Sequence, residues 1–146
     1  MSLNRFEGYK TTYRFNASHS IGGFESKHTH TFKVNVYIQR DTQGFVEFSD
    51  YENEISQYFE QYRRRYINAF EKFEGKPATL ENMCKVFFED VKAIFDGIDD
   101  YTLVKLEICD SPTKSVSYSE MIFAGDADVY ISDKCYRDYI EAVRHE

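Results

Sequence analysis

His28-Thr29-His30-Thr31-Phe32-Lys33-Val34-Asn35-Val36-Tyr37-Ile38-Gln39 is the stretch that sets the fold class. His28, His30, Phe32, Val34, Val36 and Ile38 fall on one side of a period-two pattern, and Thr29, Thr31, Lys33, Asn35, Tyr37 and Gln39 fall on the other. Successive side chains of a strand point to opposite faces, so the pattern predicts a strand with one apolar and one polar face. Upstream, residues 8–17 (GYKTTYRFNA) alternate Tyr13, Phe15 and Ala17 with Arg14 and Asn16, which predicts a second strand. Between them, the polar run Ser20 to Lys27 carries Gly22-Gly23 and reads as the loop of an antiparallel connection.

Downstream the period changes. Asp41 to Gly44 reads as a turn, and Ser49-Asp50-Tyr51-Glu52 has the form of a capping box opening a helix. Tyr51, Ile55, Tyr58, Phe59 and Tyr62 then keep helical spacing. A second helix is expected from Thr79 as N-cap, with Met83, Val86, Phe87, Val91, Ile94 and Phe95 as its apolar stripe and Gly97 at its end. Residues 102–109 (TLVKLEIC) predict a strand with Val104, Leu106 and Ile108 on one face and Leu103, Lys105, Glu107 and Cys109 on the other. After a turn at Ser111-Pro112-Thr113, β character returns at 115–119 and 127–131, and Asp133 to Val143 looks helical. Residues 1–146 therefore read as one α+β domain, an antiparallel sheet backed by helices.

Composition narrows the function classes. Of 146 residues, 42% are hydrophobic and 29% charged, the balance of a folded globular chain. The 13 Phe and 12 Tyr, with no Trp, suit helix–sheet cores and subunit contacts. A net charge of −7 argues against nucleic acid as a partner, because phosphate neutralisation needs Lys and Arg. Arg63-Arg64-Arg65 is too short a cluster to change that and reads as a solvated helix end. No apolar run approaches the roughly 20 residues of a membrane span. Met1 to Phe15 lacks the apolar stretch of a signal peptide, so a cytoplasmic location is expected. Cys84, Cys109 and Cys135 are odd in number and widely spaced, indicating reduced thiols rather than a disulfide framework or a cysteine zinc site.

The residues that suggest chemistry are His19, His28 and His30. Two histidines two apart on a strand project from one face, and His19 at the end of the neighbouring strand can approach the same point. Three neutral imidazoles with an open fourth position make a catalytic-type zinc site. The pattern is equally compatible with satisfied polar side chains that hold no ion.

Taken in order, Asn16-Ala17-Ser18-His19, His28-Thr29-His30, Gly44-Phe45-Val46-Glu47-Phe48, Ala78-Thr79-Leu80-Glu81-Asn82 and Leu106-Glu107-Ile108 resemble the landmarks of one family. It is that of 6-pyruvoyl-tetrahydropterin synthase and 6-carboxytetrahydropterin synthase, and the resemblance spans about residues 8 to 120. It implies the tunnelling fold, a four-stranded antiparallel sheet with two helices on one face, with a short C-terminal helix added. It also implies a homo-oligomer, hexamer or trimer, with active sites at subunit interfaces. The implied chemistry is that of a lyase acting on 7,8-dihydroneopterin triphosphate or a related pterin, in a queuosine, tetrahydrobiopterin or folate pathway. Zn2+ would be held by His19, His28 and His30, and the pterin ring by Glu107. A carboxylate can accept paired hydrogen bonds from such a ring, although on its own strand Glu107 also reads as a solvated side chain.

The sequence departs from the family where its proton-transfer groups stand. Phe24 occupies the position of the catalytic cysteine, and Arg63 and Arg64 align with an Asp-His pair. Thr29 replaces a glycine and Glu47 an aspartate. Some relatives use a glutamate in place of the cysteine, one position earlier than Glu25, which makes Glu25 the candidate base. The alternatives are that Glu25 is an exposed loop carboxylate, and that the chain is a divergent zinc- and ligand-binding member with no or different activity. A third possibility is a metal-free structural oligomer that kept only the fold.

Overall fold

Phe32, Val34, Val36 and Ile38 are fully buried, as their spacing predicts, and form the centre of strand β2 (His28–Arg40). The computed structural model describes residues 8–40, 42, 44–119, 121–124 and 127–130. Strand β1 (Tyr9–His19) runs antiparallel to β2 from the pair Tyr9 and Ile38 to the pair His19 and His28. On the other side of β2 lies β3 (Tyr101–Ser111), followed by β4 (Lys114–Ser119), so the sheet order is β1-β2-β3-β4. Strands β5 (Met121–Ala124) and β6 (Ala127–Tyr130) form a separate two-stranded ladder.

Leu103 was expected beside Lys105 and Glu107 but is buried, because the β2–β3 register shifts between Tyr37 and Ile38. Tyr37 opposes Lys105 while Ile38 opposes Leu103, so an extra β3 residue is accommodated and the parity of the strand changes.

Two helices cover the apolar face. Helix α1 (Glu52–Glu60) buries Ile55 and Phe59, and α2 (Leu80–Asp96) buries Met83, Cys84, Val86, Phe87, Phe88, Val91 and Phe95. Thr79 caps α2 as expected, its side chain accepting from the Asn82 N–H at 3.1 Å. Gly97 ends the helix, its N–H donating to the carbonyls of Ile94 and Phe95. The capping box at Ser49 and Glu52 does not form. Phe48–Asp50 is instead a 3-10 turn, and Tyr51 sits at the α1 N-cap without a side-chain cap. Tertiary contacts override the local motif: Tyr51 is fully buried, and the Tyr101 hydroxyl donates to Asp50 at 2.8 Å. The aromatic load is spent in this layer, where Phe15 stacks on Phe32 and Phe59 and meets Phe87 edge-on. The helix expected at Asp133 to Val143 and Cys135 lie outside the described residues.

The opposite face of the sheet is polar. Thr12 donates to Asn35 Oδ1 and Asn35 Nδ2 donates to Glu107 Oε1, both at 2.7 Å, tying β1, β2 and β3 together. This separation into two faces decides which of the expected site residues can meet.

Candidate metal centre

His19 and His28 are cross-strand partners, and His30 follows His28 on the same face. Their rings lie with centroids 4.4 Å (His19–His28), 4.7 Å (His28–His30) and 5.3 Å (His19–His30) apart. One ring nitrogen from each falls within 4.8 Å of the other two. The three side chains thus converge, as their spacing and strand pairing predict.

Hydrogen bonds select the nitrogen that faces inward. His19 Nδ1 lies 2.7 Å from the carbonyl of Ala78, just before α2. A carbonyl only accepts, so Nδ1 carries the proton and the lone pair of the neutral ring is on Nε2. His19 is 3% exposed, and its Nε2 is buried without a partner. His28 Nδ1 stands 3.1 Å from the Ser26 carbonyl, which orients that ring in the same way. Burial is the main cause that lowers the pKa of His19, and the neighbouring His28 and His30 lower it further, while the Ala78 bond acts the other way. A neutral, oriented imidazole with an orphaned lone pair is what a metal ligand requires, and backbone carbonyls commonly hold such rings from behind. These three donors fit a divalent metal ion.

Several residues that support this centre escaped the sequence reading. Asp110 Oδ2 is 3.9 Å from His30 Nε2, too far for a hydrogen bond but near enough for its charge to act on the site. The exit of β1 is held by a reciprocal pair, Ser20 N–H to Asn68 Oδ1 at 2.9 Å and Asn68 Nδ2 to the Ser20 carbonyl at 2.8 Å. Ser18 N–H donates to the Arg65 carbonyl at 3.0 Å, and Ser18 bridges Tyr66, so residues 64–66 cover the β1 edge beside His19.

The other expected site residues stand apart. Glu25 lies in the 3-10 turn Phe24–Ser26, exposed, with its carboxylate folded back over Gly23. Phe24 is 63% exposed and packs edge-on against Tyr66, with Lys27 Nζ 4.6 Å above its ring. Glu107 is half-buried on the polar face, accepting from Asn35 and, at 3.4 Å, from Ser115. Its partner Asn35 is five positions from His30 on β2, about 16 Å of strand, and faces the other way. Within one chain, Glu107 and the three histidines do not share a site. Arg63, at the aligned acidic position, forms a bidentate pair with Glu60, and Arg64 takes a left-handed φ of 59°.

The architecture and the triad define a class: tunnelling-fold proteins with a histidine cluster at the end of the first β-hairpin. The sequence matches the 6-pyruvoyl tetrahydropterin synthase family over residues 9–121, and the chain belongs to that family. Among solved structures, it resembles 6-pyruvoyl tetrahydropterin synthase from Caenorhabditis elegans at 17% identity and TM-score 0.67, covering 82% of this chain and 99% of that one. An uncharacterised protein from Wolinella succinogenes matches at 11% identity and TM-score 0.62, over 80% of this chain and 99% of its own. A catalytic-residue mutant of the Plasmodium vivax synthase, with a glutamate replaced by cysteine, matches at 13% identity and TM-score 0.56 over the same shares. No curated protein matches the sequence significantly. Among the described residues no helix is long and apolar enough to cross a membrane.

Proposed function

We propose that this chain is a zinc-dependent, pterin-processing lyase acting on 7,8-dihydroneopterin triphosphate or a close relative, from which it eliminates triphosphate or cleaves the side chain. The observation that carries the reading is His19: a buried imidazole, held from behind by the Ala78 carbonyl, whose unpartnered Nε2 points at two more histidines. His19, His28 and His30 would hold Zn2+, which when bound supplies Lewis-acid polarisation of a substrate oxygen. Glu107 would anchor the pterin ring from a second copy of the chain, since its own triad is on the other face. Glu25 would remove the proton, swinging out from Gly23 toward the histidines. A carboxylate in that role has a parallel in the Plasmodium vivax synthase, where a glutamate is described as catalytic.

A second reading is a family member that binds metal and a pterin-like ligand without this chemistry. It is favoured by Arg63, whose guanidinium is committed to Glu60 and to the Arg14 carbonyl. An arginine so placed cannot polarise a base. Metal analysis and turnover separate the readings. The first expects about one zinc per chain, lost in His19→Ala, and a new pterin product from the triphosphate. Zinc binding with calorimetric pterin binding and no product would establish the second.

A further inference from the structure

On the polar face, Arg14 of β1 and Lys33 of β2 are directly opposed across the strands. Like charges directly opposed in that register repel and destabilise the pair. Neither side chain forms an ion pair among the described residues. The two line a cavity of about 390 Å³ together with Thr31, Cys109, Asp110 and Ser111. Cys109 is the neighbour of Lys33 on β3, and burial pushes its thiol pKa up, so it brings no negative charge at neutral pH. The Thr31 hydroxyl is spent on Asn16 at 2.7 Å, and the Asp110 carboxylate, 3.9 Å from His30 Nε2, brings one negative charge to the cavity against the two cations. In a chain of net charge −7, two adjacent cations with no ion pair among the described residues are a local exception, and they outnumber Asp110, the one acid lining this cavity.

We propose that this cavity is a binding site for a phosphate-class oxyanion, with the Arg14 fork and the Lys33 ammonium as its two charge-bearing donors. A guanidinium matches two phosphate oxygens, and the ammonium supplies a compact second charge. A bound anion offsets the cross-strand repulsion between the two cations. The proposal uses none of the three histidines, so it stands or fails apart from the metal reading.

The test uses metal-free protein, thermal unfolding and 31P NMR, with sodium phosphate against sodium chloride at matched ionic strength. Phosphate should raise Tm saturably and broaden its own resonance, and chloride should do neither. Arg14→Gln and Lys33→Gln should each weaken phosphate binding by at least about tenfold. Because each removes one of two repelling charges, neither should lower Tm in chloride. Should a neutral variant fold poorly, Arg14→Lys and Lys33→Arg, which keep the charge, should retain the phosphate effect. Tripolyphosphate binding more tightly than orthophosphate assigns the site to a phosphorylated arm of a larger ligand, and equal binding assigns it to free phosphate. An equal response to chloride, or a phosphate effect that survives both glutamine variants, overturns the proposal.

Discussion

Asp110 presents a carboxylate 3.9 Å from His30 Nε2, on the face of the sheet that carries the three histidines. A divalent ion held by three neutral imidazoles brings two positive charges into a half-buried setting, where a nearby anion lowers the cost of holding it. Outer partners hydrogen-bonded to the ligand rings commonly set metal affinity by about 10–100-fold, and a carboxylate acting through its charge alone does less. Asp110→Asn keeps shape and removes the charge, so zinc affinity, measured by competition with a chelator, should fall by up to about tenfold while Tm of the metal-free protein stays the same. If the asparagine variant holds zinc as tightly as the parent, Asp110 is a bystander. The residue was within reach of the sequence: Leu106 and Ile108 are buried, and carrying their alternation one step further puts a carboxylate on the apolar face. The Ala78 carbonyl had no such signal, because a backbone group leaves no trace in side-chain pattern.

At the scale of elements, the start of α2 joins folding to the histidine cluster. Thr79 caps the helix, and the carbonyl one residue earlier orients His19. Thr79→Ala removes the acceptor for the Asn82 N–H and should cost about 1 kcal/mol, read as a lower urea midpoint at unchanged m-value. Loosening that turn also frees the Ala78 carbonyl, so zinc affinity should drop although no ligand has changed. Unchanged affinity in the destabilised variant would show that the two are uncoupled. This helix start was legible because its cap is local, Thr79 to Asn82. The α1 start is not legible from its capping motif, because burial of Tyr51 and the distant Tyr101, bonded to Asp50, favour a 3-10 turn, and such a motif carries no information about distant packing. Strand alternation placed the histidines on one face, yet it put Leu103 on the wrong one, since a bulge depends on the partner strand. Glu107 was placed on its polar face correctly, but only the pairing with Asn35 reveals how far that is from His30.

For the whole molecule, two consequences follow from how the faces are built. Burial in the helix–sheet layer pushes the Cys84 thiol up from 9.0 to about 12 and the Tyr13 hydroxyl up from 10.0 to about 12. Above the unfolded values, the unfolded chain has released protons that the native chain still holds, so stability is complete below about pH 9 and declines from there toward pH 12. The urea midpoint should therefore fall between about pH 8 and about pH 11, and native Cys84 should resist thiol reagents at the lower pH. A flat profile across that range would mean that these groups are solvated in the native state. The second consequence concerns assembly. A site that needs both the triad and Glu107 requires two copies of the chain, because the sheet itself stands between them. His19→Ala alone and Glu107→Gln alone should each lack turnover. If the chain assembles as proposed, refolding the two together gives mixed oligomers in which some interfaces pair an intact triad with an intact Glu107. Turnover should then return to a sizeable fraction of the parent, alongside a trimer or hexamer by light scattering. If both single variants are inactive and the mixture stays inactive while mixed oligomers are present, Glu107 serves the triad of its own chain and the two-copy site is wrong.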